Sequence, residues 1–257
     1  MDLGLDGRVA LVLASTGGLG AAVATALAAE GAHVVVTGRD AARAQALAAR
    51  LPSAVGVGVD LTAPGAAATV LAATREAFGD PEVLVLNGPG PPPSRAADLD
   101  GAAVRAAAET LLVPHVDLVQ QALPAMRARR WGRILAIGSS GVEAPLPDLS
   151  ASNVGRAALA AYLKTLAGEV AADGVTVNML LPGRIATDRV AALDAAAATR
   201  QGRPVDEVEA ASRATIPLGR YGEPEEFGAT GAFLCSARAS YLTGALVRCD
   251  GGLLANL

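Results

Sequence analysis

Two short stretches of this sequence hold residues whose type and spacing could do chemistry. LASTGGLG, residues 13–20, sets Gly17, Gly18 and Gly20 between an apolar run and an Ala-rich stretch. Glycines let a backbone approach a pyrophosphate closely. A helix that begins there adds free N–H groups and the positive end of its dipole. An isolated glycine turn would read the same, but here a strand pattern precedes it and a helix pattern follows. LSASNVGRAALAAYLKTLA, residues 149–167, reads as the start of an amphipathic helix that places Ser152 and Arg156 one turn apart. Ser152 can donate a hydrogen bond, but an aliphatic hydroxyl is a poor proton source. Arg156 stays charged and carries a fork of donors suited to ribose hydroxyls or a carboxylate.

Both stretches need elements to hold them. Strand patterns fall at 9–14, 33–37, 55–60, 83–87, 133–138, 175–180 and 245–249. They are short and apolar on both faces, as strands of a parallel sheet covered by helices should be. Helix patterns fill the gaps at roughly 19–30, 40–50, 65–78, 98–130, 150–172 and 224–236. Alternation of this kind gives a doubly wound α/β sheet of seven strands with helices on both faces. PGPPPS, residues 89–94, can continue neither strand nor helix and forms a stiff loop after the fourth strand. Residues 184–216 read as a helical insertion over the ligand crevice, a lid. Without internal repeat or linker, the chain is expected to be one domain over 1–257.

Composition narrows the function. A net charge of −4 and 3% aromatics argue against nucleic acid, which wants a basic face and stacking platforms. The uncharged run at 9–29 is long enough for a membrane span, but its central glycines and the acidic segment before it argue against a span or signal peptide. Cys235 and Cys249, the two cysteines, form no zinc-ligand spacing and no disulfide framework, so no metal is expected and a reducing cytoplasm is.

The pattern resembles the short-chain dehydrogenase/reductase family, closest to its 3-oxoacyl-[acyl carrier protein] reductase-like members, nearly end to end. The family's TGxxxGxG appears as Leu13, Ala14, Gly18 and Gly20. Its NNAG becomes Leu86, Asn87, Gly88 and Pro89. Its VNxxxPGxxxT matches Val177, Asn178, Pro182, Gly183 and Thr187. The most specific match is the tail IPLGRYGEPEEFGATGAFLCSARASYLTGALVRCDGG. The resemblance implies a Rossmann domain, a homotetramer or homodimer, and a small-molecule substrate. It also implies dinucleotide contacts from Ser15, Thr16, Gly18, Leu19, Gly20, Asp60 (to adenine), Leu61, Asn87, Gly88, Pro182, Gly183, Ile185 and Thr187. Ala14 departs from the first glycine and is expected to crowd the adenosine side slightly. Gly38 and Arg39 stand where NAD users place an Asp, and a guanidinium suits a 2′-phosphate, so NADP(H) is expected over NAD(H). A solvated surface Arg39 is the bland alternative.

In the family a Ser positions the carbonyl, a Tyr moves the proton, a Lys tunes the Tyr and holds ribose, and a middle-helix Asn completes a water relay. Ser139 matches the Ser. Ser152 and Arg156 stand at the Tyr and Lys places, and Leu111 at the Asn place. Lys164 is the only lysine among 21 basic residues, so Lys to Arg has a compositional excuse, whereas Tyr to Ser has none. Tyr162 lies about 15 Å farther along the helix and is expected to pack. Lys164 reads as a helix-end cation, His115 as a satisfied core residue, and Cys235 as buried packing. Glu143, in the loop after Ser139, is the best alternative acid or base, and Asn153 a candidate to orient a carbonyl. The expected function is an NADP(H)-dependent oxidoreductase of a carbonyl or alcohol through a non-standard site: Ser139, Ser152, Arg156 and Glu143. The alternatives are a non-redox cyclase, dehydratase or isomerase on this scaffold, or a dinucleotide-binding protein without catalysis.

Overall fold

The computed structural model describes residues 1–256. Apolar runs of four to eight residues form seven parallel strands: β1 (Val9–Val12), β2 (His33–Gly38), β3 (Ala54–Gly58), β4 (Val83–Leu86), β5 (Gly132–Ile137), β6 (Val175–Pro182) and β7 (Leu246–Cys249). They pair in the order β3-β2-β1-β4-β5-β6-β7. The order reverses between β1 and β4, which opens a crevice at their carboxyl ends, the place where such sheets take ligands.

The helices are α1 (Gly18–Ala29), α2 (Ala41–Ala48), α3 (Ala66–Ala77), α4 (Gly101–Leu111), α5 (Val113–Arg129), α6 (Ser150–Val170), α7 (Asp188–Gln201), α8 (Val205–Ala214) and α9 (Pro224–Leu234). Alternate strand residues feed two cores. Ala10 and Val12 meet Val23 and Leu27 of α1, Ala44 of α2 and Phe227 of α9. Leu11 and Leu13 belong to the opposite core with Val70 and Leu71 of α3, Leu118 of α5, and Leu159 and Leu163 of α6. Leu159 and Leu163 are 2% and 3% exposed, so each is worth about 2 kcal/mol in fixing α6 to the sheet.

One expectation is corrected. The helix expected over 98–130 breaks at Leu112, whose φ and ψ are −123° and −62°. Pro114 has no N–H to give the carbonyl four residues back and restrains its predecessor, so the chain restarts as α5. The insertion after β6 is two helices, because Gly202 at φ 63° ends α7 before Pro204 opens α8.

Candidate active site

The glycine turn closes at the end of β1. Ala14 gives its N–H to Thr37 Oγ1 at 3.0 Å, and its carbonyl accepts from Asn87 Nδ2 at 3.0 Å. Asn87 thereby ties the end of β4 to the end of β1 across the switch point. Gly20 must be glycine: a Cβ there would lie 2.7 Å from the Ala14 carbonyl and 2.8 Å from Asn87 Nδ2. Gly18 sits at φ 55°, and no side chain caps α1. An uncapped helix terminus behind a turn that a Cβ would fill fits a dinucleotide diphosphate. Thr187 stands across the crevice, its Cγ2 4.0 Å from where a Gly18 Cβ would be, and it caps α7 by accepting from Val190 N at 3.4 Å. Pro182 and Gly183 end β6, and Gly183 packs so tightly on Asp250 that a Cβ would come within 2.6 Å of its Cα.

Some expected contacts prove to be spent inside the fold. Ser15 donates its hydroxyl to the Val12 carbonyl at 2.7 Å, accepts from Thr37 N, and gives its own N–H to Thr37 O. It is fully buried, with its hydroxyl and its N–H both engaged within the fold. Leu19, Leu61 and Ile185 put their side chains against the two cores. Ala14 departs from expectation in kind. It takes φ 45°, so its methyl strains its own backbone.

At the adenosine end, Gly38 lies against Thr16, whose Cγ2 would be 2.5 Å from an added Cβ. Arg39 is exposed there. Arg43 extends over the turn, Nη2 3.8 Å from the Cβ position of Gly17. Among the described residues neither arginine is in an ion pair. Asp60 accepts from both the N–H and the hydroxyl of Thr62 on Oδ1, at 3.0 and 2.7 Å. Those bonds, with Arg39 adding to them, hold its carboxyl below the usual range. Oδ2 keeps its acceptor capacity.

At the chemical end, α6 sets Ser152 and Arg156 on one face. Arg156 donates from Nη1 to the Ile137 carbonyl at 2.8 Å and from Nε to Ser152 Oγ at 3.4 Å. Burial, and then the charge of Arg189, pull its pKa down to about 10. Ser139 lies two residues past β5 and accepts from Gly141 N at 3.1 Å, which leaves its hydroxyl hydrogen to donate. Glu143 is not brought to this group: it pairs with Arg248 of β7 at 2.5 Å. Asn153 is also withdrawn, with both ends of its amide engaged by the Leu146 backbone at 2.9 and 3.4 Å. Leu111 is buried against Gly155. His115 is 2% exposed, with Nδ1 2.9 Å from Leu111 O and Nε2 3.3 Å from Asn87 O. Burial lowers its pKa, with Arg156 adding to the effect, and the ring packs behind Asn87.

Comparison with known proteins agrees with this geometry. A family model described as enoyl-(acyl carrier protein) reductase matches residues 13–254. The 3-oxoacyl-[acyl-carrier-protein] reductase of Haemophilus influenzae is 32% identical over 97% of this chain and 99% of its own. The chain belongs to the short-chain dehydrogenase/reductase family. The D-beta-hydroxybutyrate dehydrogenase of Cupriavidus necator is 31% identical over 98% of this chain and 99% of its own. L-sorbose reductase from Gluconobacter frateurii, solved with NADPH and L-sorbose, superposes with a TM-score of 0.94 at 31% identity over the whole of both chains.

Within this short-chain dehydrogenase/reductase several site residues escaped the sequence reading. Ser94, in the proline-rich loop, accepts from Ala151 N at 3.0 Å and so caps α6 from another segment. Arg189, on the first turn of α7, donates to the Pro91 carbonyl at 3.1 Å and bridges α7 and the proline-rich loop. Asp194 of α7, 1% exposed, pairs with Arg184 and accepts from the Tyr221 hydroxyl at 2.8 Å, fastening α7 to the segments that follow β6 and precede α9. Only Arg43 left a signal, since it follows Arg39 by four residues at the start of a helix. Lys164 reaches the Gly244 carbonyl at 2.8 Å and anchors the turn before β7. Burial pushes the Cys235 thiol up to about 12, as suits a packing residue.

Proposed function

We propose that this chain is an NADP(H)-dependent oxidoreductase that interconverts a carbonyl and an alcohol on a small molecule without a tuned phenol. One observation carries the reading: the Ser152–Arg156 pair is held against the end of β5, above a cradle shaped for a dinucleotide. Among the described residues no tyrosine hydroxyl is bonded to Ser152 or Arg156, and Tyr241 is fully exposed. Tyr221 is bonded to Asp194, and Tyr162 is packed with its hydroxyl buried.

NADP(H) is the cofactor, and when bound it supplies or takes the hydride. The N-terminus of α1 and the Gly18–Gly20 turn take its diphosphate. Arg39, with Arg43 behind it, takes the 2′-phosphate. Asp60 takes adenine. Asn87, Gly88, Pro182, Gly183 and Thr187 line the nicotinamide end. Ser139 and Ser152 donate to the substrate oxygen, and Arg156 stabilises charge that develops there. The proton comes from water, since Glu143 is held by Arg248. We read cofactor and substrate as sharing one domain, in a homotetramer or homodimer.

NADPH fluorescence tests the reading against its rivals. Loss of NADPH with members of a carbonyl panel supports it. Conversion of substrate with NADPH unchanged favours a cyclase, dehydratase or isomerase, and NADPH binding without turnover of anything favours a binding protein. Absence of NADPH binding at millimolar levels removes the basis of all three.

A further inference from the structure

We infer that His115 is a positioning residue for the nicotinamide end of the cofactor: it carries the Asn87–Gly88 peptide from behind, and a proton gained by its ring disfavours NADP⁺ relative to NADPH. This rests on the placement of the nicotinamide end at Asn87 and Gly88 and adds a residue behind that floor.

The break between α4 and α5 holds the ring. In an unbroken helix the Leu111 carbonyl would accept from the N–H of residue 115. Here that N–H turns to the Leu112 carbonyl at 3.1 Å, and the His115 side chain takes its place, with Nδ1 2.9 Å from Leu111 O. Nε2 then points at Asn87 O, 3.3 Å away. The ring also closes the back of Gly88, where a Cβ would meet Cε1 at 3.6 Å and Nε2 at 3.8 Å. From Asn87 the path continues to the glycine turn, since its Nδ2 donates to Ala14 O at 3.0 Å. One buried side chain thus joins the α4–α5 junction to the end of β4, and through it to the end of β1.

Both ring nitrogens face carbonyl oxygens, which can only accept. A neutral imidazole has one N–H for the two. The shorter contact takes it. A nitrogen lone pair 2.9 Å from an oxygen would be repelled, so Nδ1 carries the hydrogen and Nε2 faces Asn87 O without one. A second proton would turn that contact into a bond. Burial resists this proton, the carbonyls of Leu111 and Asn87 favour it, and the charge of Arg156 on α6 resists it, with burial prevailing. Glu109 of α4 and Asp117 of α5, the nearest carboxylates along the chain, are exposed, and the end of β4 brings the uncharged Asn87 and Gly88. The ring therefore gains its second proton on the acid side of the ordinary histidine value and loses it as the pH rises.

That proton puts a full positive charge behind the Asn87–Gly88 peptide, on the same side of the site as the fixed charge of Arg156. The oxidised nicotinamide ring carries a positive charge and the reduced ring carries none. A protonated His115 therefore repels NADP⁺ and leaves NADPH little affected. Linkage makes the relation reciprocal: His115 holds its proton less well with NADP⁺ bound than with NADPH bound. Charge alone fixes the sign. Affinity for NADP⁺ relative to NADPH is full above the pH at which the ring titrates and falls below it. The diphosphate and the 2′-phosphate are common to both cofactors, so their own titrations cancel in the ratio of the two dissociation constants.

The test uses the full chain, which has 2 histidines. His33 lies at the amino end of β2, its Nδ1 2.6 Å from Ser53 Oγ and its ring stacked on Phe78, whereas the crevice opens at the carboxyl ends of the strands. With histidine labelled in ¹⁵N, both imidazoles are followed by NMR from about pH 8 to about pH 5, and His33→Gln assigns them. His115 should gain its proton at a pH lower by at least about 0.5 with NADP⁺ bound than with NADPH bound, which is about threefold in affinity. The ratio of the NADP⁺ to the NADPH dissociation constant, measured calorimetrically, should rise at least about threefold over the same range. His115→Gln keeps an N–H donor and cannot take a charge, so it should flatten that ratio, while His33→Gln leaves its slope intact. His115→Leu, which leaves both carbonyls without a partner, should weaken NADPH binding about tenfold at about pH 8. A His115 ring that titrates alike with both cofactors, or stays neutral down to about pH 5, overturns the inference on the wild-type protein even if no variant folds. A slope that survives in His115→Gln overturns it too, as does unchanged NADPH affinity in a folded His115→Leu protein. Binding of neither cofactor at about 1 mM takes the cofactor placement down with it, whereas binding of both with a flat ratio removes the role of His115 alone.

Discussion

The two ends of the crevice are made of different material. At the nucleotide end the working parts are mostly backbone: the open N–H groups of α1, a turn that admits no Cβ at Gly20, and the carbonyl of Ala14 held by Asn87. Backbone groups survive most substitutions, which is why the turn still closes with Ala14 at φ 45°. At the chemical end the working parts are single functional groups. On the reading proposed above, Ser152 stands where the family keeps a phenol; such an exchange keeps the helix, its register and its packing, yet removes a group that could be tuned toward neutral pH. One end reports the fold and cofactor and tolerates change. The other decides the reaction and can be altered by one residue without disturbing anything around it.

The hardest blow to this contrast comes from restoring the lost group. α6 is fixed by Leu159, Leu163 and Leu166 on its buried side, so Ser152→Tyr with Arg156→Lys should leave the sheet intact. If only the proton donor is missing, NADPH-dependent reduction of a simple ketone should rise by about 10²–10⁴-fold, the usual worth of general acid catalysis. A folded double variant that binds NADPH but gains nothing would mean that the cleft was rebuilt as well, and that α7 and the proline-rich loop matter as much as the missing ring.

The anchor of α7 gives the next largest effect. Asp194→Asn leaves Arg184, 27% exposed at its side chain, without a counter-charge in a site closed on Asp194 itself. Breaking such a pair costs about 3 kcal/mol, or a melting temperature lower by roughly 6–10 °C in a chain of this size. NADPH affinity should change by less than about threefold, because the cradle lies on other elements. An unchanged melting curve would show that α7 is not fastened through Asp194.

At the nucleotide end, Arg39→Ala with Arg43→Ala should weaken NADPH binding about 100-fold, the worth of charge-assisted bonds to one phosphate. NADH binding should stay within about threefold, since it lacks that phosphate. Equal losses for both cofactors would assign the arginines to the turn itself and leave the 2′-phosphate without a site.

The same contrast explains what was legible in the sequence. All seven strands could be read: the inner ones because apolar residues on both faces leave buried parallel strands little ambiguity, and the half-exposed edges β3 and β7 because they are short apolar runs too. The break at Leu112 was also written in Pro114, but the Ala-rich helical pattern on either side masked it. Gly18, Gly20, Asn87 and Thr187 could be named as candidates because their positions are tied to fixed offsets from strands. Arg189, Ser94 and Asp194 were not, because Arg189 and Ser94 act on partners 98 and 57 residues away, and Asp194 joins Arg184 and Tyr221 from either side, 10 and 27 residues away. Glu143 shows the reverse failure. It reads as a free carboxylate in an active-site loop until β7 delivers Arg248, from 105 residues away, to neutralise it.

The smallest effect probes the backbone directly. An alanine in the left-handed region costs about 1–2 kcal/mol, and glycine gives back part of that through the greater freedom of its unfolded chain. Ala14→Gly should therefore stabilise the protein by about 0.5–1 kcal/mol, a melting temperature higher by roughly 1–4 °C. It should leave turnover of any substrate unaltered, since Ala14 contributes its N–H and carbonyl and no side-chain group. A gain in stability with unchanged chemistry is what a site built of main chain predicts. A loss would show instead that the Ala14 methyl packs usefully in the turn, and that side chains matter at the nucleotide end as well.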